Sequence, residues 1–82
     1  MKKIYKYRLG VNGMTTRIDL KVEQFLHIES QDGIPTLWAL IDDDIAETAE
    51  IYCYGTGWPI SEHDNYIGTA IDGYGYVWHY FV

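Results

Sequence analysis

The chain has 82 residues, 48% hydrophobic and 16% aromatic, with twelve acids, six bases and a formal charge of −6. That length gives one domain, residues 1–82, whose core can bury only about 60–65% of the unfolded surface. The charge excludes nonspecific binding to duplex DNA, which needs Lys and Arg to displace counterions, and no apolar run reaches the ~18–20 residues of a membrane-crossing helix.

Residues 3–9 read as a first strand, followed by a turn at Gly10-Val11-Asn12-Gly13. Met14, Thr16, Ile18 and Leu20 then alternate with Thr15, Arg17 and Asp19, the period of a half-buried strand. Residues 24–31 repeat the pattern, with Leu26 and Ile28 expected inward and His27 and Glu29 outward. Asp32-Gly33 predicts a tight hairpin turn. Pro35 opens the next strand, where its missing N–H is tolerable.

Leu37-Trp38-Ala39-Leu40-Ile41 is apolar on both faces and predicts a central strand covered on each side. Asp42-Asp43-Asp44 stops it, and residues 42–49 form an acidic connector with at most one short helical turn near 43–49. Residues 50–55 are another strand, ending in the glycine-rich stretch Gly55-Thr56-Gly57-Trp58-Pro59. Ser61-Glu62-His63-Asp64-Asn65 reads as a polar loop. Residues 66–71 and 74–82 are expected to form a last hairpin across Asp72-Gly73. About seven short, mostly antiparallel strands, with turns every ~8–12 residues, predict an all-β fold, a small sandwich or barrel.

Eight Tyr and three Trp are more rings than so small a body can hide. Some are expected at a ligand site or a subunit contact, which predicts a homo-oligomer, most simply a dimer. All six bases, Lys2, Lys3, Lys6, Arg8, Arg17 and Lys21, lie in the first quarter of the chain. An anion site would therefore use those residues, backbone N–H groups or histidine. The single cysteine, Cys53, sits among Ile51, Tyr52 and Tyr54 and reads as a buried strand thiol. It excludes an internal disulfide and fits a reducing compartment. The basic start is followed by no apolar signal-peptide core, so a soluble intracellular protein is expected.

Catalytic and metal chemistry find no support in the sequence, and no cofactor is expected. The three histidines, His27, His63 and His79, lack zinc-ligand spacing. His79 reads as a strand residue satisfied by partners, and His63 beside Asp64 as a chance pair in a polar loop. Ser30 and Ser61 stand in no nucleophile context. The three consecutive aspartates lack the spaced ligands and central glycine of a calcium loop and read as a solvated acidic turn. Gly55-x-Gly57 lacks the rest of a dinucleotide fingerprint.

The aromatic set carries more. Tyr52 and Tyr54 share one strand face, and Tyr76, Trp78 and Tyr80 another. For Tyr52, Trp38 and Trp78 cross-strand packing is the expected role. Trp58, beside glycine and proline at a strand end, is expected to be partly exposed and to meet a ligand or a neighbouring subunit.

Several stretches resemble a family of short proteins of unknown function from bacteriophages and prophages. They are Lys3-Ile4-Tyr5-Lys6-Tyr7, Pro35-Thr36-Leu37-Trp38-Ala39-Leu40-Ile41-Asp42, Ile51-Tyr52-x-Tyr54-Gly55-Thr56-Gly57-Trp58-Pro59-Ile60, Tyr66-Ile67-Gly68-Thr69 and Val77-Trp78-His79-x-Phe81. The resemblance spans nearly the whole chain; Cys53 and the Gly-Tyr-Gly-Tyr segment at 73–76 depart from it without disturbing the glycine-rich stretch. It implies viral origin and a host-cytoplasmic location and supplies no catalytic residues. It also suggests a non-enzymatic antagonist of host defence.

The leading expectation is an oligomeric sponge for a small nucleotide-like immune signal. Trp58 with Tyr54 or Tyr66 would stack on a base, the amides of Gly55 to Gly57 with the Thr56 hydroxyl would meet polar edges or phosphate oxygens, and Arg8 or Arg17 from a neighbouring strand or subunit would supply positive charge. One alternative is an acidic inhibitor that presents Asp42, Asp43, Asp44, Glu47 and Glu50 to a host defence protein. Another is a structural or assembly accessory.

Overall fold

Two pairs of left-handed residues make the first sharp reversals of the chain. Asn12 and Gly13 have φ of 56° and 80°, and Asp32 and Gly33 have φ of 53° and 77°. Positive φ at both central positions is the geometry that matches the twist of paired strands, and Asn-Gly and Asp-Gly adopt it at least cost.

In a computed structural model, which describes residues 1–60 and 65–82, seven strands are built around such turns. They are β1 (Lys2–Arg8), β2 (Thr16–Ile18), β3 (Lys21–Gln31), β4 (Ile34–Asp42), β5 (Ala49–Gly55), β6 (Tyr66–Ile71) and β7 (Val77–Phe81). One antiparallel sheet has the order β1-β4-β3 and the other β2-β5-β7-β6. The result is a small all-β sandwich, as the period-2 patterning predicts. Among the described residues no helix is long and apolar enough to cross a membrane.

Leu37, Ala39 and Ile41 from β4, Ile51 and Cys53 from β5, and Trp78 and Tyr80 from β7 alternate inward and meet Leu9, Ile18, Ile28 and Ala70 in one core. β3 and β6 approach closely: a Cβ on Gly68 would lie 2.8 Å from the Cβ of Ile28. The buried Tyr80 hydroxyl donates to the Gly10 carbonyl at 2.8 Å, tying β7 to the loop that follows β1.

Three expectations are corrected, and the allowance of at most one helical turn near 43–49 holds with none formed. Leu26 is exposed and Phe25 packs inward with Ile28, because β3 carries register shifts between Val22 and Gln24 and between Phe25 and His27. An extra residue in a strand flips the facing of those beyond it. Met14 is exposed in the loop before β2, which starts only at Thr16. No helical turn occupies 43–49; a turn at 42–45 closes with Ile45 N–H on the Asp42 carbonyl at 3.4 Å, and the connector runs on without regular structure. The central strand β4 is covered by the other sheet on one face only, and Trp38 and Leu40 stand half-buried on the outer face. The polar-loop expectation, with His63 and Asp64, falls outside the described residues except at Asn65.

Candidate functional site

The alternation of β5 turns Ile51, Cys53 and Gly55 inward and Tyr52 and Tyr54 outward. At its end the chain reverses, with Trp58 N–H donating to the Gly55 carbonyl at 3.1 Å and Gly57 at φ 87°. This reversal folds Trp58 back over Gly55. A Cβ at Gly55 would sit 2.7 Å from Cε2 and Nε1 of the indole, so only glycine admits the ring there. The ring also covers Gly13 and meets Trp78 edge to face, with centroids 5.6 Å apart and planes at 74°. Its outer side remains open: Trp58 is 46% exposed.

Beside Trp58 lies a groove of 560 Å³ lined by Asn12, Gly55, Thr56, Gly75, Tyr76, Val77 and Trp78. Its second wall is built by Asp72. One carboxylate oxygen accepts the Tyr74 and Tyr76 N–H groups at 2.9 and 3.0 Å, and the other accepts the Trp78 indole N–H at 2.8 Å. The indole N–H, followed by the backbone donors, holds the Asp72 carboxyl below its ordinary range. This residue therefore closes the 72–76 loop, with Gly75 at φ 88°, and fixes Tyr76, 62% exposed, in the lining of the same groove as Trp58. The expected two-residue turn at Asp72-Gly73 is thus a longer, aspartate-capped loop that leaves Tyr76 outside β7. A neighbouring groove of 460 Å³ shares Asn12 and Tyr76 and continues past Tyr74.

The expected site residues divide into three groups. Gly55, Thr56, Gly57 and Trp58 form the reversal at the groove. Tyr54 and Tyr66 stand on the outer face of the four-stranded sheet, each edge-on to Phe81 at centroid distances of 5.7 and 5.5 Å. Arg17 pairs across from Glu50, five residues along β5 from Gly55, or roughly 17 Å at ~3.4 Å per residue. It also forms an ion pair with Asp19 at 2.7 Å, which raises the guanidinium pKa. Arg8 stands on the other sheet, opposite Thr36. The two arginines are therefore not brought to the groove within the protomer.

The same outer face carries a row of hydrogen bonds. The Thr56 hydroxyl meets His79 Nε2 at 2.7 Å, His79 Nδ1 meets the Thr69 hydroxyl at 3.0 Å, and Thr69 meets the Tyr66 hydroxyl at 2.6 Å. His79 is thus satisfied at both nitrogens by its neighbours.

The profile of a domain of unknown function, DUF7352, matches residues 1–82. The chain belongs to that family. Comparison with curated proteins and with solved structures finds no match. What the family's domain can do must therefore be argued from its geometry, and two other features bear on that.

Asp42, Asp43 and Asp44 bring carboxylate oxygens within 4.8 Å of one another. The chain itself supplies cations to them. The Met1 ammonium reaches all three, and Asp43 also accepts from Lys3 at 3.0 Å and from the Tyr5 hydroxyl at 3.0 Å. Lys3 first, then Tyr5, holds the Asp43 carboxyl down at about 2. Cys53 is buried as expected, and burial pushes its thiol pKa up.

Asn12, Asp72, Gly75 and Tyr76 were not among the expected site residues. The signal for them was Asp72 with Gly75 three residues on, since an aspartate bonding backbone N–H groups ahead of it marks a capped loop.

Proposed function

We propose that the protein is a non-catalytic binder that sequesters a small ligand carrying a nucleobase-like ring in the groove between Trp58 and Tyr76. The observation that carries this reading is two exposed rings held in the lining of one groove by glycine and aspartate geometry, and not by chance exposure. Its 560 Å³ falls within the usual range for small-molecule sites, about 300–1,000 Å³. Stacking a base on an aromatic side chain contributes ~1–3 kcal/mol, and Gly75, where nothing lies within 4 Å of a Cβ, leaves backbone open to the ring's edge.

Recognition then rests on the ring. A phosphate would meet Arg8 or Arg17 only from a second copy, so the homo-oligomer belongs to the same proposal. The row Tyr54–Phe81–Tyr66, with Tyr66 exposed at its end, supports a subunit contact on the outer sheet face. In the setting implied by the phage-protein resemblance, sequestration in the host cytoplasm would withdraw a nucleotide immune signal. The acidic-inhibitor alternative has less support, because Asp42 and Asp43 already face the Met1 ammonium and Lys3.

Tryptophan fluorescence and thermal melting with cyclic di- and trinucleotides and with simple ribosides test the reading. A ligand at 100 times its dissociation constant stabilises by about 2.7 kcal/mol. Trp58→Ala and Tyr76→Ala should each weaken binding at least about fivefold, the stacking share of one ring. Silence across the whole panel would remove the proposal.

A further inference from the structure

The row Thr56–His79–Thr69–Tyr66 has a direction, and the direction decides what the groove accepts. A neutral imidazole donates from one nitrogen and accepts at the other, and each hydroxyl carries a single proton. Three orderings fit the three contacts of 2.7, 3.0 and 2.6 Å. Every proton points from Tyr66 toward Thr56, or every proton points the other way, or Thr69 accepts from both Tyr66 and His79 and keeps its own proton unpaired within the row.

Tyr66 breaks the tie. Its contact with Thr69, at 2.6 Å, is the shortest of the three and lies at the short end for O–H···O bonds. A phenolic O–H is a better donor than an aliphatic hydroxyl, and its ring-conjugated oxygen is a poorer acceptor. Tyr66 therefore donates to Thr69. If Thr69 also accepted from His79, its own proton would be left unpaired at a half-buried position, whereas Thr56 is exposed, so Thr69 passes its proton to Nδ1 of His79. The ring proton is then left on Nε2, which donates to the Thr56 oxygen. Each bond polarises the next in the same sense. The Thr56 proton has no acceptor left within the row, and Thr56 lines the groove.

We infer that His79 is the Nε2–H tautomer and that it turns the Thr56 hydroxyl into a hydrogen-bond donor at the groove, selecting rings that present an acceptor edge. The ligand half of this inference rests on the proposed groove reading; the tautomer does not. His79, which does not itself line the groove, is then a positioning residue acting on the ligand through Thr56.

The tautomer is read in ligand-free protein from the two imidazole 15N shifts of His79, at about pH 8, above the ordinary histidine range. The expected result is a protonated Nε2 and a bare Nδ1. Purine riboside, whose six-membered ring offers only acceptors, is then compared with 2,6-diaminopurine riboside, which adds two amino donors. The first should bind about fivefold more tightly, the worth of one hydrogen bond of ordinary strength. Tyr66→Phe removes the terminal donor, so both tautomers should appear in the 15N spectrum and the preference should shrink toward parity.

A bare Nε2 in the wild-type protein overturns the tautomer. Equal affinities with a protonated Nε2 overturn its role in selection. Failure of both ribosides to quench Trp58 removes the groove reading and the selection with it, while the nitrogen shifts still decide the tautomer.

Discussion

Replacing Gly55 by alanine separates the groove from the stability of the sandwich. The added Cβ would stand 2.7 Å from Cε2 and Nε1 of Trp58 and 3.1 Å from Cδ2. Ordinary carbon contacts lie near ~3.5–4.0 Å, so the indole must move by about 1 Å. It can move only outward, because Gly13 and Trp78 hold its other sides. The backbone at Gly55 is not left-handed and accepts alanine. Weakening the Trp58–Trp78 contact costs about 0.5–1.5 kcal/mol. Reduced freedom of the unfolded chain returns about 0.4–1 kcal/mol.

The net change should stay within ~1 kcal/mol. With 82 residues at about 2.1 cal/mol/K each, that is a Tm shift of no more than about 6 °C. Near-UV circular dichroism, which reports the coupled indoles, should change strongly, and riboside binding should fall. Gly57→Ala is the mirror case. Nothing lies within 4 Å of a Cβ there, but φ is 87°. It should cost about 1–2 kcal/mol in stability and leave the indole signal intact. If Gly55→Ala kept both the wild-type near-UV spectrum and wild-type binding, the claim that glycine seats Trp58 would be refuted.

Tyr80→Phe should destabilise by about 1–3 kcal/mol in urea titrations, since it orphans the Gly10 carbonyl that the fully buried phenol satisfies at 2.8 Å. A variant as stable as the parent would show that the carbonyl finds water. Asp43→Asn should flatten the acid limb of stability. Its folded pKa of about 2 lies below the ordinary value of 3.8, so its contribution is present above pH ~4 and is lost as pH falls toward 2. The urea midpoints of variant and parent should differ at neutral pH and converge near pH 2. A gap that persists unchanged there would contradict the assignment.

The fold was legible because its signals are local. Asp32-Gly33, the alternation along β5 and β7 and the Pro35 strand start each depend on a few neighbouring residues. Leu26 was misread because a bulge leaves the composition of a strand unchanged while reversing its facing. Trp58 was legible as half-open, since glycine and proline at a strand end leave a large ring little to pack on. What covers its inner side was not legible. Gly13 and Trp78 come from 45 residues before it and 20 after, and no periodicity links them. Tyr76 was assigned to one strand face with Trp78 and Tyr80 for the same kind of reason: the capping role of Asp72 is spent partly on the Trp78 indole, a partner outside its own loop.

The gathering of cations at the start of the chain has a structural cause that also bears on the ligand. Each sheet has two edge strands: β1 and β3 in one, β2 and β6 in the other. β3 and β6 lie against each other, as the Gly68–Ile28 approach shows, which leaves β1 and β2 as the outward edges. Those two strands carry Lys2, Lys3, Lys6, Arg8 and Arg17, five of the six bases. Charge on an open edge, lysine above all, deters a second strand from adding to it. The first 20 residues supply both open edges, so the bases fall in the first quarter without any anion site to explain them. A phosphate-first account of the groove loses its main sequence argument here. The ring-first account keeps its own, because Trp58, Tyr76, Gly55 and Gly75 meet at the groove for reasons of backbone geometry that edge protection does not require.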